Sequence, residues 1–421
     1  MRHIYIVTMI FFYTIIGYSQ QITLNECFKH AEKNYPLLIQ KGILEQSFSE
    51  TNSLINKNWY PQVDFSAQLT TQSDVTKIPI KIPNMTIPEP EKEQYKATID
   101  IKQLIWDGGY MKKERTLKKV ENSIEQQKLE IDILKLKEKI SQLFFRVIHI
   151  DENIEVVNLQ IEDINIRLKT IQAGVNNGII LKSNADKLKV EILKLNQRVF
   201  ELTKDKQSLI ASLNILLGLN LTSESKLILP QSKNYSTIIA NRPELELFEL
   251  QKQYFSTQSK TTIVKNLPRL SAFAQGGYGK PALNMFDPDF QFYYIAGIRL
   301  NWNIWNWNTG HSEKKIYSLA QQIVDKQKDI FNINIQIQIE QQKAEITKIE
   351  LLLKTDDEII EIQTSIKKSA VVQFENGTLS ANDYLNELNN EKMLLLNKKM
   401  HQIQLIMSQI NLQIILGELD F

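Results

Sequence analysis

Two rhythms of apolar positions run through the chain. From Leu129 the positions Ile133, Leu136, Ile140, Leu143, Val147, Ile150, Ile154, Val157, Ile161, Ile164, Leu168 and Ile171 are spaced by alternating steps of four and three. That spacing is a heptad stripe, the signature of a helix packed along its length. Leu134, Phe145, Ile148, Val156 and Ile166 widen the stripe, as expected when a helix meets two neighbours. After Asn177-Gly178 the same rule continues through Ala185, Leu188, Ile192, Leu195, Val199 and Leu202, and it returns in Met393, Leu396, Met400, Ile403, Met407, Ile410 and Ile414. A helix from near Tyr110 to Gln172 would be roughly 90–95 Å long at 1.5 Å per residue, so the pattern predicts rods rather than a compact globule.

The second rhythm has period two. Tyr95, Ala97, Ile99 and Ile101 alternate with Lys96, Thr98, Asp100 and Lys102. Phe292, Tyr294, Ala296, Ile298, Leu300 and Trp302 alternate with positions that include Gln291, Arg299, Asn301 and Asn303. Alternation over this length predicts strands with one apolar and one polar face, fitting lipid on one side and water on the other. A soluble hairpin with one face on a core has the same alternation. The aromatic side chains on the apolar face resemble an interfacial girdle, and the rest of the sequence offers no separate core to cover.

The chain also repeats itself. Asn34-Tyr35-Pro36 recurs as Asn241-Arg242-Pro243, and Tyr60-Pro61-Gln62-Val63 as Leu267-Pro268-Arg269-Leu270, both at an offset of 207 residues. Ile105-Trp106-Asp107 matches Ile304-Trp305-Asn306, Asn177-Gly178 matches Asn376-Gly377, and Ile215-Leu216-Leu217-Gly218 matches Ile414-Ile415-Leu416-Gly417, all at 199. Ordered matches at two constant offsets imply one copied helix–hairpin–helix unit with an insertion in one loop. That loop is the Pro-rich segment Thr76 to Gln94. The predicted organisation is a signal peptide at 1–19, a first repeat at 20–218, a linker at 219–240 and a second repeat at 241–421. Thr23-Leu24-Asn25-Glu26 has capping-box spacing, and Pro36 should break or kink the first helix before it runs on to about Asn58.

Composition narrows the function classes. Gly (14) and Pro (11) are scarce for 421 residues, which favours long helices. A net charge of +2 gives no bulk field for nucleic acid. Met1-Arg2-His3, the apolar run Ile4 to Ile16 and Gly17-Tyr18-Ser19 have the layout of an export signal; a buried N-terminal helix is the competing reading. No later apolar run is long enough for a spanning helix, so membrane entry would have to use strands. Cys27 has no partner cysteine and no lipoprotein-type small residues before it, and reads as a helix residue.

An export signal, paired rods and two helix–hairpin–helix repeats together resemble the TolC-like outer-membrane efflux family. The residues that carry the resemblance are the strand-to-helix turn Trp106-Asp107-Gly108-Gly109 and its looser copy from Trp305 to Gly310, the rod tips Ala173 to Gly178 and Val372 to Thr378, and the closing Leu217-Gly218 and Leu416-Gly417. The match covers nearly the whole mature chain. It implies an α+β fold of long antiparallel coiled-coil hairpins forming an α-barrel, with four strands per protomer entering a trimeric twelve-stranded transmembrane β-barrel. It further implies a homotrimer in outer-membrane lipid whose helices extend into the periplasm, conducting substrates passively and working with a periplasmic adaptor and an inner-membrane pump.

The same resemblance implies an acidic periplasmic gate just past the second rod tip. Asp383 occupies that position, with Asn386 one turn on; Asn184 and Lys187 stand at the first-copy positions. The other reading of Asp383 is a helix-capping residue. Adaptor contact is expected at the tips, around Gly174, Asn177, Gly178, Asn376 and Gly377, within Gly174–Leu181 and Phe374–Ala381. The expected lipid-facing or girdle residues are Tyr95, Ile99, Ile101, Phe292, Tyr294, Ile298 and Trp302, and the expected turn residues Trp106, Gly108, Gly109, Trp305 and Gly310.

No catalytic, cofactor or metal constellation is expected. His149-Ile150-Asp151 lies along the heptad stripe and reads as a solvated or inter-helix pair. Gly276-Gly277-Tyr278-Gly279-Lys280 lacks phosphate-loop spacing and reads as a strand end and loop. The competing function class is a periplasmic coiled-coil structural or adaptor protein without its own pore. It shares the heptads but does not require amphipathic strands at equivalent positions in both copies.

Overall fold

A computed structural model describes residues 21–76, 79, 89–231 and 241–418. The expected signal peptide, most of the Pro-rich loop and the second part of the expected linker lie outside the described residues. In chain order the elements are β1 (Gln21–Thr23), α1 (Leu24–Asn34), α2 (Leu37–Lys57), β2 (Gln62–Thr71), β3 (Glu93–Trp106), α3 (Tyr110–Asn176), α4 (Lys182–Leu217), β4 (Lys226–Ile228), α5 (Pro243–Lys265), β5 (Arg269–Lys280), β6 (Gln291–Asn301), α6 (Thr309–Glu375) and α7 (Ala381–Leu416). No helix among the described residues is long and apolar enough to cross a membrane. The chain divides into two compact units.

The first unit draws on Met1–Ile39, Ile131–Arg242 and Ile333–Phe421. Its first helix carries the expected capping box. Thr23 N–H donates to Glu26 Oε2 at 2.8 Å and Glu26 N–H donates to Thr23 Oγ1 at 3.3 Å. The bonds that Thr23 gives to the ionised form hold the Glu26 carboxyl below its usual range. Pro36 separates α1 from α2, as its missing N–H and ring sterics require. The heptad residues Leu136, Ile140, Val147 and Ile150 of α3 join Cys27, Phe28, Leu213, Leu217, Ile403, Ile410 and Ile414 in one buried cluster. Cys27 is fully buried there, and burial pushes its thiol up to about 12. A second cluster gathers Ile164, Ile171, Ala185, Leu188, Phe374, Tyr384 and Leu388 at the helix tips.

The segment expected to be a linker is partly structured. β4 pairs in parallel with β1, Gln21 opposite Lys226 and Thr23 opposite Ile228, while Leu221 and Leu227 enter the first cluster. A three-residue strand is too short to leave a periodic signal in the sequence. The two Asn-x-Pro signatures have a shared use: Asn34 Nδ2 donates to Leu217 O at 2.7 Å, and Asn241 donates its backbone N–H to Leu416 O at 2.7 Å. Each thus gives a partner to a carbonyl at a helix C-terminus, where the helix itself supplies none.

The second unit comprises Gln40–Glu130 and Pro243–Asn332. It holds an antiparallel four-stranded sheet in the order β2-β3-β5-β6. Three sequence expectations need correction here. Gly276 to Lys280 are the end of β5, as expected, but none of them is loop: Gly277 pairs with Tyr293, whose ring occupies the space a Cβ would need, 2.3 Å away. Trp302 lies just past β6, because pairing stops at Arg269↔Asn301, where Pro268 precedes β5 and has no N–H to donate. Gly310 is not a turn residue but belongs to the first turn of α6.

The turn into each long helix explains that third difference. Gly108 (φ 72°) and Gly109 (φ 85°) are left-handed, and before α6 the left-handed pair is Trp307 (φ 54°) and Asn308 (φ 58°). The first turn thus uses glycine where the backbone demands it, while the second holds a bulky residue in a region that disfavours side chains. Asp107 is buried and fixes the first turn, its Oδ1 accepting from Gly109 N–H at 2.8 Å and its Oδ2 from Met111 N–H at 2.6 Å.

Gly108→Ala adds left-handed strain and a Cβ 2.7 Å from Leu267 Cβ, whereas Gly109→Ala meets nothing within 4 Å. We expect losses of about 2–3 kcal/mol for the first and about 1 kcal/mol for the second. Urea midpoints followed by tryptophan fluorescence check the order; equal losses would show that the Leu267 contact relaxes freely.

Candidate functional site

Side chains directly opposite one another in a ladder share a face, so the register fixes both faces of the sheet. Val63, Phe65, Ala67 and Leu69 of β2 lie opposite Ile101, Ile99, Ala97 and Tyr95 of β3. In turn, Ala97, Ile99 and Ile101 lie opposite Tyr278, Gly276 and Ala274 of β5. Tyr278, Gly276, Ala274, Ala272 and Leu270 lie opposite Phe292, Tyr294, Ala296, Ile298 and Leu300 of β6. One face is therefore apolar across all four strands except towards its ends, where Lys280 lies opposite Tyr95 and Gln103 opposite Ala272. It is also uncovered: Phe292 and Tyr294 are 84% and 81% exposed.

The bands at the two ends of this face differ. At the end carrying the β5–β6 connection, Tyr278 packs against Phe290 and Phe292 at ring distances of 5.5 and 4.4 Å, and Tyr95 lies 5.9 Å from Phe290. At the helix-side end stand Trp106, Trp302, Trp305 and Trp307, all exposed. A register shift between Leu104 and Trp106 puts Trp106 opposite Leu270, so an irregularity in β3 returns an indole to the apolar face. The stretch from Phe292 to Trp302 spans ~34 Å along the strand, or ~26 Å along a membrane normal at a tilt near 40°.

The opposite face is polar and internally bonded. Ser66 Oγ and Thr98 Oγ1 are 2.8 Å apart, Thr98 Oγ1 donates to Asp100 Oδ2 at 3.0 Å, and Gln275 Nε2 donates to Asp100 Oδ1 at 2.6 Å. This chain of bonds links β2, β3 and β5. Lys96 lies over the Tyr293 ring. The contribution of β2 is absent from the sequence expectations, although Val63 to Leu69 alternates plainly. β5 leaves a weaker signal, since its apolar-face positions are mostly Ala and Gly.

The two helix tips close with the same hydrogen bonds. Asn177, Gly178, Ile179 and Ile180 donate to Ala173, Val175, Gly174 and Gly174; Asn376, Gly377, Thr378 and Leu379 donate to Val372, Phe374, Gln373 and Gln373. Asn177, Gly178, Asn376 and Gly377 are exposed and Gly174 is half-buried. Phe374 and Ala381, the ends of the second stretch expected to meet an adaptor, are instead buried in the tip cluster. Phe374 stacks on Tyr384 at 4.8 Å, and desolvation raises the Tyr384 phenol above its ordinary value.

Further contacts tie α3 to the second hairpin: Arg167 to Glu375, Gln160 to Asn389, and Lys392 to Asp163 at 3.0 Å. Their partners lie too far apart in sequence for any periodicity to pair them. Asp383 is exposed in the first turn of α7. Ser380 caps that helix, accepting from Asp383 N–H at 3.2 Å and donating to Asp383 Oδ2 at 2.7 Å. Asp383 therefore takes part in capping, and Ser380 engages one of its two carboxylate oxygens. Asn386 and Lys187 are exposed, Asn184 is half-buried, and α4 starts after Leu181 with no side-chain cap.

His149 contacts Asn153 within α3, and burial together with Arg146 lowers its basicity. Among the described residues no group of three or more His, Cys, Asp or Glu is placed to hold a metal ion.

No family model matches the chain, and no curated protein matches it. Solved structures do. The outer membrane channel CmeC of Campylobacter jejuni is similar with a TM-score of 0.68 at 15% identity, over 94% of this chain and 85% of that one. The outer membrane channel MtrE of Neisseria gonorrhoeae, in its open state, gives 0.66 at 10% identity, over 94% and 88%. The outer membrane protein VceC of Vibrio cholerae gives 0.62 at 11% identity, over 92% and 95%. The chain thus has the fold of TolC-like outer-membrane channels, as the sequence resemblance anticipates.

Ser380→Ala removes the side-chain cap of α7 while leaving Asp383 in place. The expected cost is about 1 kcal/mol, read as a lowered urea midpoint. No change would mean that the tip cluster alone fixes the start of α7.

Proposed function

We propose that this chain forms a homotrimeric outer-membrane channel-tunnel that conducts substrates passively, its helices extending into the periplasm. The observation that carries this reading is the uncovered apolar face across four strands whose two edge strands, β2 and β6, have no further partner among the described residues. Each large apolar side chain moved from water into lipid contributes about 1.5–3 kcal/mol, so the face favours a bilayer. In lipid, unpaired backbone groups at β2 and β6 cost several kcal/mol each. Other copies of the same sheet remove that cost. β2 and β6 run in opposite directions within the alternating order, so β6 of one protomer meets β2 of the next in antiparallel fashion. Such a barrel has an even number of antiparallel strands, as outer-membrane barrels do. Three protomers, and hence twelve strands, come from the fold resemblance.

The internal duplication is part of the proposal. It is supported by α3 and α6 having 67 residues each, α4 and α7 having 36 each, and the two tips sharing one hydrogen-bond pattern. The tips are the proposed contact for a periplasmic adaptor working with an inner-membrane pump; Ile179 and Leu181 add exposed apolar area there. Asp383 is the proposed gate carboxylate. Three copies around an axis would form a ring that attracts cations, using the oxygen that Ser380 does not engage. No enzymatic step belongs to this reading.

We expect the protein in the outer-membrane fraction, with an unboiled gel band at trimer size that collapses on boiling. A soluble monomer would instead favour a pore-free coiled-coil or adaptor protein. In planar bilayers, Asp383→Asn should weaken divalent-cation block of conductance severalfold. Unchanged block would leave Asp383 as a capping residue only.

A further inference from the structure

The polar face of the sheet is unevenly charged. It carries Lys96, Lys102, Arg269 and Arg299 against Asp64 and Asp100. Asp100 is engaged by Thr98 and Gln275. Three of the four cations crowd its helix-side end, around a cleft of about 500 Å³ lined by Lys102, Arg269 and Arg299.

The two arginines are seated on aromatic rings. The Arg299 guanidinium lies 4.7 Å from the Phe273 ring centroid and that of Arg269 lies 5.0 Å from that of Tyr110. Aromatic faces orient an arginine but leave its charge uncompensated. Two acids share the cleft, Asp107 and Glu114. Asp107 is buried, with both oxygens accepting backbone N–H groups. Backbone hydrogen bonds do not cancel a carboxylate's charge, so the cleft lining sets three basic side chains against two acidic ones and keeps a formal positive excess.

We infer that Lys102, Arg269 and Arg299 form an anion-favouring belt at the helix-side end of the pore, so that this level of the duct selects for negatively charged solutes. The inference rests on the channel reading, in which the polar face meets water. Three protomers would then place three cationic rows around one aqueous bore. Rings of basic side chains favour anions in this way, and at physiological salt their reach of about 8 Å acts on solutes passing beside them. A cation-attracting ring at Asp383 is compatible with it, since the two groups lie on different elements.

The test is the reversal potential of the purified trimer in planar bilayers under a KCl gradient. Native protein is compared with Arg269→Gln/Arg299→Gln and, separately, Lys102→Glu, each also in an Asp383→Asn background. The expected result is a fall of the chloride-to-potassium permeability ratio by at least about threefold in either variant. The Lys102→Glu arm does not depend on the aromatic seats, and so guards against misfolding of the double variant. Conducting channels with unchanged reversal potential in both variants would overturn the belt while leaving the channel reading intact. A native protein that produces no conductance would overturn both.

Discussion

An antiparallel sheet with one apolar face and two open edges is satisfied by neither solvent alone. Water leaves Phe65, Phe292, Tyr294 and Ile298 exposed, and lipid leaves the edge N–H and C=O groups of β2 and β6 without partners. Continuation of the ladder into further protomers meets both demands. In the proposed channel, assembly, membrane insertion and pore formation are then three descriptions of one hydrogen-bonding requirement. The proposed anion belt depends on it directly, because it is what turns the polar face inward.

Much of this is legible in the sequence because it depends on local period. The heptad stripe from Leu129 to Ile171 marks α3 to within a few residues of its end at Asn176, and Thr23, Glu26 and Pro36 mark the start and end of α1. Period two locates β3 and β6. What stays hidden depends on long-range pairing: β4 against β1, the bonds from α3 to the second hairpin, and the ring of Tyr293 over Gly277. The glycine run from Gly276 reads in part as a loop because glycine normally weakens strands. In the sheet it makes room for an aromatic neighbour, which only the register reveals.

The proposed gate is ambiguous in sequence for a related reason. A residue at the third position of a helix can take part in capping as well as in the proposed gate, and Ser380 engages only one of the two oxygens of Asp383. The sequence also shows the two halves as unequal at this point, Asn184 against Asp383. The structure extends the inequality: Ser380 caps α7, whereas α4 begins after Leu181 without a side-chain cap. Similarly, the left-handed pair before each long helix is Gly108-Gly109 in one half and Trp307-Asn308 in the other. The backbone geometry is shared while the side chains that meet its demands differ.

The parallel pairing of β1 with β4 has a consequence for the order of events in biogenesis. Gln21 finds its partner only at Lys226, so a chain delivered N-terminus first must emerge past its midpoint before that pairing closes. The capping box at Thr23 is complete within four residues and forms locally. The capping bonds of the first helix are thus local, whereas the pairing of the strand before it is long-range. Until β4 is made, the apolar residues Ile22, Leu24, Cys27 and Phe28 lack part of the cluster that buries them.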